Sequence, residues 1–227
     1  MQFLKILIFN LKIKVLILYK YFMNFTNKEF KYRELLKEGK ELLRSINYTG
    51  EVFRTAYFWK HLLNLNKDDC VKYLEIGAFK GANAITFAYL YPNSEIHCVD
   101  PWLDYNDYPE YKGQQNENYT TFLTNIIHSK KSDKFNIHKD FSFNTLVQLQ
   151  RNYFNVIYID GNHEQEYVLE DAVLSFRLLK NEGYMIFDDY GWGNVHVGVD
   201  AFIKTYKSKL KFIDCVNCQV IVQKIQD

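Results

Sequence analysis

The sequence predicts one doubly wound α/β domain, with a mostly parallel sheet of about seven strands that ends in an antiparallel hairpin. After residue 70, short apolar runs alternate with longer helical patterns, and parallel strands require such crossover helices because no tight turn can join them. The last two apolar runs are instead separated only by Asn217 and Cys218, a connection of hairpin length. One strand of that pair must therefore run antiparallel to its neighbour.

The elements follow one another in a regular order. Strands are predicted at 71–76, 95–99, 135–138, 154–159, 184–187, 211–216 and 219–224, and helices at 81–91, about 115–129, about 142–151, 164–180 and about 196–207. Before them, apolar residues between Lys28 and Leu65 recur with helical spacing and are interrupted at 47–50. We therefore divide the chain into a leading segment 1–23, two helices within 24–69 that could cover a ligand site, and the α/β domain at 70–227.

The leading segment 1–23 is apolar but contains four lysines, Lys5, Lys12, Lys14 and Lys20. They keep every uninterrupted apolar span below the ~20 residues that a membrane helix needs. A signal peptide carries its charges before the apolar stretch, and here they lie inside it. Three interpretations stay open: a basic helix on a membrane surface, a helix packed on the domain, and untranslated upstream sequence with Met23 as the true start. The last two are favoured.

Composition argues against several classes of partner. The formal net charge is +1, which provides no field that would gather a polyanion such as nucleic acid. The four cysteines are too few for a disulfide framework. Cys215 and Cys218 form a lone C-x-x-C in an apolar run, which favours strand packing over a zinc site. We expect a cytoplasmic protein that acts on a small molecule, and the oligomeric state stays open.

A glycine turn follows the first predicted strand. Gly77 and Gly81 flank it, and Glu75 precedes it; glycine lets the backbone approach a ligand, and the following helix directs free N–H groups toward it. A dinucleotide-binding turn would read G-x-G-x-x-G and hold a pyrophosphate. Glu75 would repel that pyrophosphate but suits the ammonium and sulfonium charges of S-adenosylmethionine. The turn, with Ala78 inside it, is therefore predicted to bind S-adenosylmethionine in a Rossmann-like fold.

Residues after the second and third strands extend the predicted cofactor site. Asp100 ends the second strand, where a carboxylate would accept hydrogen bonds from the ribose hydroxyls, and Trp102 lies in the same turn. After the third strand, Asp140 is expected to accept a hydrogen bond from the exocyclic amine of adenine, and Phe141 to lie against the adenine face. A helix N-cap formed by Asp140 or Ser142 is the competing interpretation.

Three carboxylates follow the fourth and fifth strands: Asp160, Asp188 and Asp189. Neighbouring side chains on a strand point to opposite faces, so Asp188 and Asp189 can converge only if the strand ends between them. Carboxylates gathered without Arg or Lys repel one another unless a cation is present. Mg²⁺ prefers oxygen ligands, and a hydroxyl bound to it loses its proton more readily. The three aspartates are therefore predicted to bind Mg²⁺.

Histidines supply the predicted acid–base chemistry. His163 lies three residues beyond Asp160, and because histidine titrates near neutral pH, His163 is the predicted general base, with Asp160 as its catalytic neighbour. A structural histidine is the competing interpretation. His196, at the start of a predicted helix, either contacts the acceptor or caps the helix.

These motifs resemble the class I S-adenosylmethionine-dependent methyltransferases and, within them, metal-assisted small-molecule O-methyltransferases similar to the macrocin and cephalosporin-pathway enzymes. The resemblance covers about residues 70–225 and rests on four segments, Leu74-Glu-Ile-Gly-Ala-Phe-Lys-Gly81, Val99-Asp-Pro-Trp102, Tyr158-Ile-Asp-Gly-Asn-His163 and Ile186-Phe-Asp-Asp-Tyr190. It implies that the glycine turn and Asp100 hold the cofactor, and that the three aspartates hold the metal. Catechol O-methyltransferases carry a lysine base where His163 stands.

The leading hypothesis is divalent-metal-assisted O-methylation of a small hydroxylated acceptor, such as a sugar or glycoside. A second hypothesis keeps S-adenosylmethionine, drops the metal and uses His163 alone as base. A nucleotide-dependent oxidoreductase is a third, which Glu75 opposes. The last is a non-catalytic binding module or membrane-surface scaffold anchored by the leading segment.

Overall fold

The computed structural model describes residues 27–52, 56–104 and 112–227, with side chains from residue 33 onward. The predicted leading segment 1–23 lies outside these residues. Within the part of the chain that is described, no helix is both long and apolar enough to cross a membrane.

The described elements alternate between strands and helices. In chain order they are α1 Asn27–Ser45, a 3₁₀ helix at Ala56–His61, β1 Lys72–Ile76, α2 Ala82–Leu90, β2 Glu95–Val99, α3 Gln115–His128, a 3₁₀ turn at Ser132–Lys134, β3 Phe135–His138, α4 Ser142–Thr145, β4 Phe154–Ile159, α5 Gln165–Leu178, β5 Leu179–Phe187, α6 Val195–Tyr206, β6 Leu210–Val216 and β7 Gln219–Lys224.

The seven strands form one sheet in the order β3-β2-β1-β4-β5-β7-β6. The first five are parallel, whereas β7 pairs antiparallel with both β5 and β6. The turn between β6 and β7 consists of Asn217 and Cys218, which both have positive φ, as a two-residue hairpin with matching twist requires. The predicted fold class and its antiparallel hairpin are therefore confirmed.

Two apolar layers cover the sheet, because successive side chains on each strand point to opposite faces. Tyr73 on β1 and Tyr158 on β4 contribute to the layer beneath α1, the 3₁₀ helix, α2 and α3. Leu74 and Ile157, one residue away on the same strands, contribute to the layer beneath α5 and α6. Buried on both faces, the central strands read as nearly continuous apolar runs, and the few polar residues within them therefore stand out.

Three element boundaries differ from the prediction. The helix predicted at about 142–151 ends at Thr145, because Gln148 bonds back three residues to the carbonyl of Thr145 and the chain leaves helical geometry. The second helix predicted within 24–69 is the short 3₁₀ helix at Ala56–His61.

The third difference concerns the junction of α5 and β5, because α5 ends at Leu178 instead of residue 180 and β5 begins at Leu179 instead of residue 184. The ammonium group of Lys224 donates hydrogen bonds to the carbonyls of Phe176 (3.2 Å) and Leu179 (2.8 Å). This buried lysine from β7 thus satisfies carbonyl groups at the helix end, and β5 begins at once.

The carboxyl ends of the parallel strands meet at one edge of the sheet. Strand order reverses between β1 and β4, where the chain turns to β2 on one side and to β5 on the other. In open α/β sheets a crevice forms at such a reversal, outside the carboxyl ends of the strands. This edge is where the predicted site residues must lie.

Candidate active site

The glycine turn lies against the end of β4. Gly77 has φ 84° and Gly81 has φ 86°, and a Cβ atom on Gly77 would lie 1.9 Å from the carbonyl oxygen of Asp160. The Gly77 amide donates to the carbonyl of Val99 (2.8 Å). Only glycine therefore fits at position 77, and the turn brings the ends of β1, β2 and β4 together.

Glu75 faces the crevice, as its predicted role requires. It is buried and lines a cavity of about 580 Å³ together with Ala78 and Gly81. Its Oε2 accepts a hydrogen bond from the hydroxyl of Tyr73 (2.9 Å). Burial raises the pKa of the Glu75 carboxyl well above its usual range, and nearby carboxylates raise it further. A cationic ligand would relieve that repulsion.

Asp100 lines a second, adjoining cavity of about 540 Å³. Its two oxygens accept hydrogen bonds from the amides of Phe79 (2.9 Å) and Trp102 (2.8 Å), so it also fixes the turns after β1 and β2. Burial raises its pKa to about 6, against the opposing effect of those two amides. Each carboxylate oxygen has two lone pairs, so these amide contacts leave acceptor capacity for a ligand.

Trp102 supports the turn from beneath. It is buried, packs against Tyr119 and Phe122, and donates its indole N–H to the carbonyl of Phe79 (2.8 Å). It does not belong to the residues that line either cavity. The structure thus places Trp102 below the predicted cofactor site instead of within it.

The two residues after β3 differ in position. Phe141 lines the 540 Å³ cavity and stacks on Phe143. Asp140 is exposed outside the cavity lining, and its Oδ1 accepts hydrogen bonds from the amide of Phe141 (2.7 Å) and the side chain of Asn144 (3.1 Å). These contacts are local but do not form the helix cap that was the competing interpretation, because the N-cap residue of α4 is Phe141 and no side chain caps it.

Asp160, His163 and Asp189 converge where the two cavities meet. The Nε2 atom of His163 lies 3.7 Å from Asp160 Oδ1 and 3.6 Å from Asp189 Oδ2, and one ligand atom from each residue lies within 4.8 Å of the other two. Asp160 and Asp189 line both cavities. Burial raises the pKa of Asp160, an effect that Asp189 increases and His163 opposes. We call these residues the Asp–His–Asp cluster.

β5 ends at Phe187, one residue before the break expected between Asp188 and Asp189, and Asp189 has φ 48°. Asp189 therefore reaches Asp160, while Asp188 remains buried against the sheet. Asp188 accepts hydrogen bonds from the hydroxyl of Tyr158 and, at 2.8 Å, from the amide of Asp189. Asp188 is not a member of the Asp–His–Asp cluster.

A buried chain of hydrogen bonds runs beneath these carboxylates. The indole N–H of Trp59 donates to Gln219 (2.9 Å), the amide of Gln219 lies 3.5 Å from the hydroxyl of Tyr158, and that hydroxyl lies 3.1 Å from Asp160 Oδ2. All three supporting side chains are fully buried. We call Trp59, Gln219 and Tyr158 the buried relay; it ties the 3₁₀ helix and β7 to the site.

Sequence reasoning missed several residues of the site. Asn83, in the first turn of α2, and Tyr48, in the break after α1, line the 580 Å³ cavity, and each has a buried side-chain oxygen without a hydrogen-bond partner among the described residues. Trp192 lines both cavities and packs on His163, with ring centroids 4.6 Å apart. Asn83 follows the glycine turn directly, and its role in the site could have been predicted from that position.

Asp171 is another residue that was missed. It is buried, lines the 540 Å³ cavity and bonds to Ser142. On α5 it shares the buried face with Val168, Ala172 and Ser175. An acidic residue on the buried face of a helix is unusual, and this position could have indicated Asp171 from the sequence. His196, by contrast, is exposed and does not line either cavity.

Comparisons with known proteins agree with this fold. A protein of Acanthamoeba polyphaga mimivirus, described as uncharacterized protein R132, is 26% identical over 156 residues, which cover 63% of each chain. This chain therefore spans less than two thirds of that relative's length.

The O-methyltransferase TomG from Streptomyces achromogenes, solved with SAM, has a TM-score of 0.57 at 14% identity, covering 85% of this chain and 90% of TomG.

An O-methyltransferase from Bacillus cereus, solved with SAH, has a TM-score of 0.58 at 15% identity, covering 85% of this chain and 91% of that one. At these identities the two structures show the fold. The family model described as a methyltransferase domain matches residues 74–190, a stretch that runs from the glycine turn to the residues after β5 and makes up more than half of the chain. This protein therefore belongs to that methyltransferase domain family.

Proposed function

We propose that this protein transfers the methyl group of S-adenosylmethionine to a hydroxyl oxygen of a small acceptor, with assistance from a divalent cation. The observation that carries the proposal is the acidic crevice: two adjoining cavities share Asp160 and Asp189, while Glu75 and Asp100 each line one of them. Such a crevice favours cationic ligands and repels phosphates. The methyltransferase family supports the same conclusion.

The proposed cofactor site has a partner for each part of S-adenosylmethionine. The glycine turn allows close approach, Glu75 suits the positive charges, and Asp100 has acceptor capacity for the ribose hydroxyls. Phe141 offers a ring face for adenine. The unpartnered oxygens of Asn83 and Tyr48 would gain partners from the amino-acid end of the cofactor.

The acceptor is proposed to bind beside the Asp–His–Asp cluster, at the junction of the cavities. Trp192 is 54% exposed there, so its ring offers an apolar platform for one face of a sugar or glycoside. The ammonium group of Lys80, which also lines the site, forms an ion pair with Glu51 at 2.9 Å. Its positive charge is therefore balanced, and the remaining acidic side chains determine the charge of the crevice. A neutral hydroxylated molecule therefore fits better than nucleic acid or another polyanion.

The donor set of the cluster fits a divalent cation, since carboxylate and imidazole groups are common metal ligands. When bound, such an ion lowers the pKa of a coordinated hydroxyl and makes it a better nucleophile. S-adenosylmethionine, held by the glycine turn, Glu75 and Asp100, would supply the methyl group, and its transfer to the acceptor oxygen with cleavage of the carbon–sulfur bond would give a methyl ether and S-adenosylhomocysteine. The cavity walls would restrict the orientation of the two reactants, and the released proton would pass to a base or to water.

One observation favours a metal-independent version of this reaction. His163 lies between two carboxylates at 3.7 and 3.6 Å, and carboxylates orient an imidazole for use as a general base. In that version His163 removes the acceptor proton directly. An oxidoreductase gains no comparable support, because Glu75 opposes a pyrophosphate at the turn, and the match to a methyltransferase domain does not favour a non-catalytic module.

Calorimetric titration of the full chain with S-adenosylhomocysteine tests the cofactor assignment. We expect binding that Asp100→Ala and the isosteric Asp100→Asn each weaken by about tenfold or more, the effect of losing a charged hydrogen-bond acceptor. The control is Asp133→Ala at an exposed site before β3, which should bind normally. Absence of binding by the folded wild-type protein, or binding of NADH in its place, would refute the proposal.

The metal and the acceptor are tested together by measuring S-adenosylhomocysteine release over a panel of glycosides and phenols. We expect release with at least one hydroxylated compound and its loss upon chelation. Release that survives chelation but disappears in His163→Gln would support the metal-independent version.

A further inference from the structure

We infer that the divalent ion is held by Asp160, His163 and Asp189, and that this mixed oxygen and nitrogen set selects a transition-metal ion such as Mn²⁺ or Co²⁺ over Mg²⁺. Asp188 positions the site without binding the ion. The inference rests on the proposed function, because it identifies the cation used in that reaction. It also assigns to His163 the role of ligand instead of base.

The spacing of the ligand atoms supports this set. Two atoms bound to a common ion at about 2.1 Å each lie at most about 4.2 Å apart. The separations of 3.7 and 3.6 Å between His163 Nε2 and the two carboxylate oxygens fall within that limit. All three atoms lie within 4.8 Å of one another, so shifts of a few tenths of an ångström would allow them to share an ion.

The surroundings orient each ligand toward the others. Asp160 Oδ2 contacts the Tyr158 hydroxyl, which turns Oδ1 toward His163. Asp189 reaches the cluster because its positive φ takes the chain out of strand geometry. The ring of Trp192 packs on the His163 ring. Supporting contacts of this kind are typical of metal sites, where they fix the ligand geometry.

Asp188 is engaged differently. It is 7% exposed, and both of its oxygens accept hydrogen bonds, one from the Tyr158 hydroxyl and one from the Asp189 amide. Asp188 is outside the group of described residues whose ligand atoms lie within 4.8 Å of one another, so an ion held by that group would leave both contacts in place. Asp188 therefore holds Tyr158 and the Asp189 backbone in place.

The imidazole ligand determines the class of ion. Mg²⁺ is a hard ion that takes oxygen ligands and retains several waters. Imidazole nitrogen suits transition-metal ions such as Fe²⁺, Ni²⁺, Cu²⁺ and Zn²⁺, and the affinity of a given site rises from Mn²⁺ through Fe²⁺ and Co²⁺ toward Cu²⁺. A set of two carboxylates and one imidazole therefore favours these ions, whereas three carboxylates would favour Mg²⁺.

A ligand nitrogen and a basic nitrogen cannot be the same atom at the same time. Nε2 is the atom of His163 that faces both carboxylates, and once it binds an ion its lone pair cannot accept the acceptor's proton. Detecting nitrogen coordination to the metal thus separates the two roles.

The experiment uses the full chain with Mn²⁺ as the probe. Pulsed electron paramagnetic resonance should show coupling between Mn²⁺ and one imidazole ¹⁴N, which His163→Gln should abolish. In calorimetric titrations, Co²⁺ should bind more tightly than Mg²⁺, and His163→Asp should reduce or reverse that preference. Asp189→Asn should weaken Mn²⁺ binding by about tenfold or more, as loss of a metal-site group does, and Asp188→Asn should weaken it less, because the amide oxygen of asparagine can still accept the hydrogen bond from the Asp189 amide.

Several results would overturn the inference. These are Mn²⁺ bound without nitrogen coupling, coupling that persists in His163→Gln, an Asp188→Asn variant as impaired as Asp189→Asn, and no metal binding at all. Thermal unfolding of each variant establishes that it is folded. Titration with S-adenosylhomocysteine without metal keeps the two proposals separate: if it binds while ¹⁴N coupling is missing, only the metal assignment fails, and if it does not bind, the proposed function fails.

Discussion

The hydroxyl of Tyr158 on β4 hydrogen-bonds the carboxylate of Asp188, which directly follows the neighbouring strand β5. Both side chains are buried, and the same hydroxyl also contacts Asp160. One phenol therefore fixes two acidic residues that arrive from different strands. In the proposed enzyme, this contact fixes the positions of the carboxylates in and beside the Asp–His–Asp cluster.

Replacement of Tyr158 by phenylalanine removes this hydroxyl with little change in side-chain volume. We expect Mn²⁺ affinity to fall by about tenfold, because supporting groups orient metal ligands. The free energy of unfolding should fall by about 1–3 kcal/mol, the cost of leaving a buried acceptor unsatisfied. Calorimetric titration and denaturant unfolding measure these effects.

A matched control lies on the adjacent strand, where the hydroxyl of Tyr73 bonds to Glu75 at 2.9 Å. Tyr73→Phe should weaken S-adenosylhomocysteine binding and leave Mn²⁺ affinity unchanged. If the two variants affect metal binding equally, the relay does not act specifically on the cluster.

Replacement of Gly77 by alanine should be far more damaging than an equivalent change elsewhere. Its Cβ would overlap the carbonyl oxygen of Asp160 at 1.9 Å, so the end of β1 or of β4 must move. Gly113 has φ +78° and nothing within 4 Å of a built Cβ, so Gly113→Ala carries the backbone strain alone, about 1 kcal/mol. Gly77→Ala should exceed that cost by about 2 kcal/mol or more and abolish cofactor binding. Equal costs in urea unfolding would contradict the steric argument.

Replacement of Asn83 by alanine should affect ligand binding without loss of stability. The buried Asn83 Oδ1 has no hydrogen-bond partner among the described residues, so removing it relieves a desolvated group in the free protein. We expect S-adenosylhomocysteine affinity to fall by about tenfold while the free energy of unfolding stays constant or rises. Ser94 has a similarly unpartnered hydroxyl but precedes β2 at the other end of the strand; Ser94→Ala should leave affinity unaltered. Unchanged affinity in Asn83→Ala would remove this residue from the site.

Asp171 should make the unbound protein less stable as pH rises. Burial raises its pKa to about 7, partly offset by its bond to Ser142, whereas in the unfolded chain it titrates near the ordinary value of about 3.9. Between these values the folded state binds more protons, so stability falls as pH increases from about 4 to 7 and stays reduced above that range.

The variant Asp171→Asn cannot ionise and should flatten that part of the profile. At pH 8 we expect it to be more stable than the parent by on the order of 2–4 kcal/mol, as an upper range for a group of this burial. Urea unfolding at pH 5 and pH 8 measures the difference. A parent and variant with parallel profiles would show that Asp171 does not ionise with a raised pKa.

The sequence predicts the sheet well because its signals are local. Alternating apolar runs and helical patterns depend on neighbouring residues, and the two-residue turn at Asn217 and Cys218 indicates a hairpin directly. The carboxylates at the ends of β4 and β5 follow from the same reasoning, since parallel strands deliver their carboxyl ends to one edge. The break before Asp189 could be expected from strand geometry alone.

What escaped prediction depends on contacts between distant parts of the chain. At the end of α5, Lys224 donates a hydrogen bond to the carbonyl of Leu179, which lies 45 residues earlier in the chain. The contact between Trp59 and Gln219 joins residues 160 positions apart. The hydrogen bond between Tyr158 and Asp188 could not be predicted either, because nothing in the sequence around Asp188 indicates a partner 30 residues earlier. The position of His163 beside both Asp160 and Asp189 depends on the path of the loop after β4, which the sequence does not show.

The antiparallel direction of β7 has a consequence for the order in which the protein matures on the ribosome. Because β7 runs against β5, its first residue, Gln219, lies at the edge where the parallel strands finish. Every strand that bears a proposed ligand is synthesised before residue 190, yet the support beneath Tyr158 arrives only with the final hairpin. A nascent chain that lacks this hairpin therefore contains all the acidic residues of the crevice but lacks the contact that supports Tyr158 beneath them. We expect ligand binding to appear late and abruptly during translation.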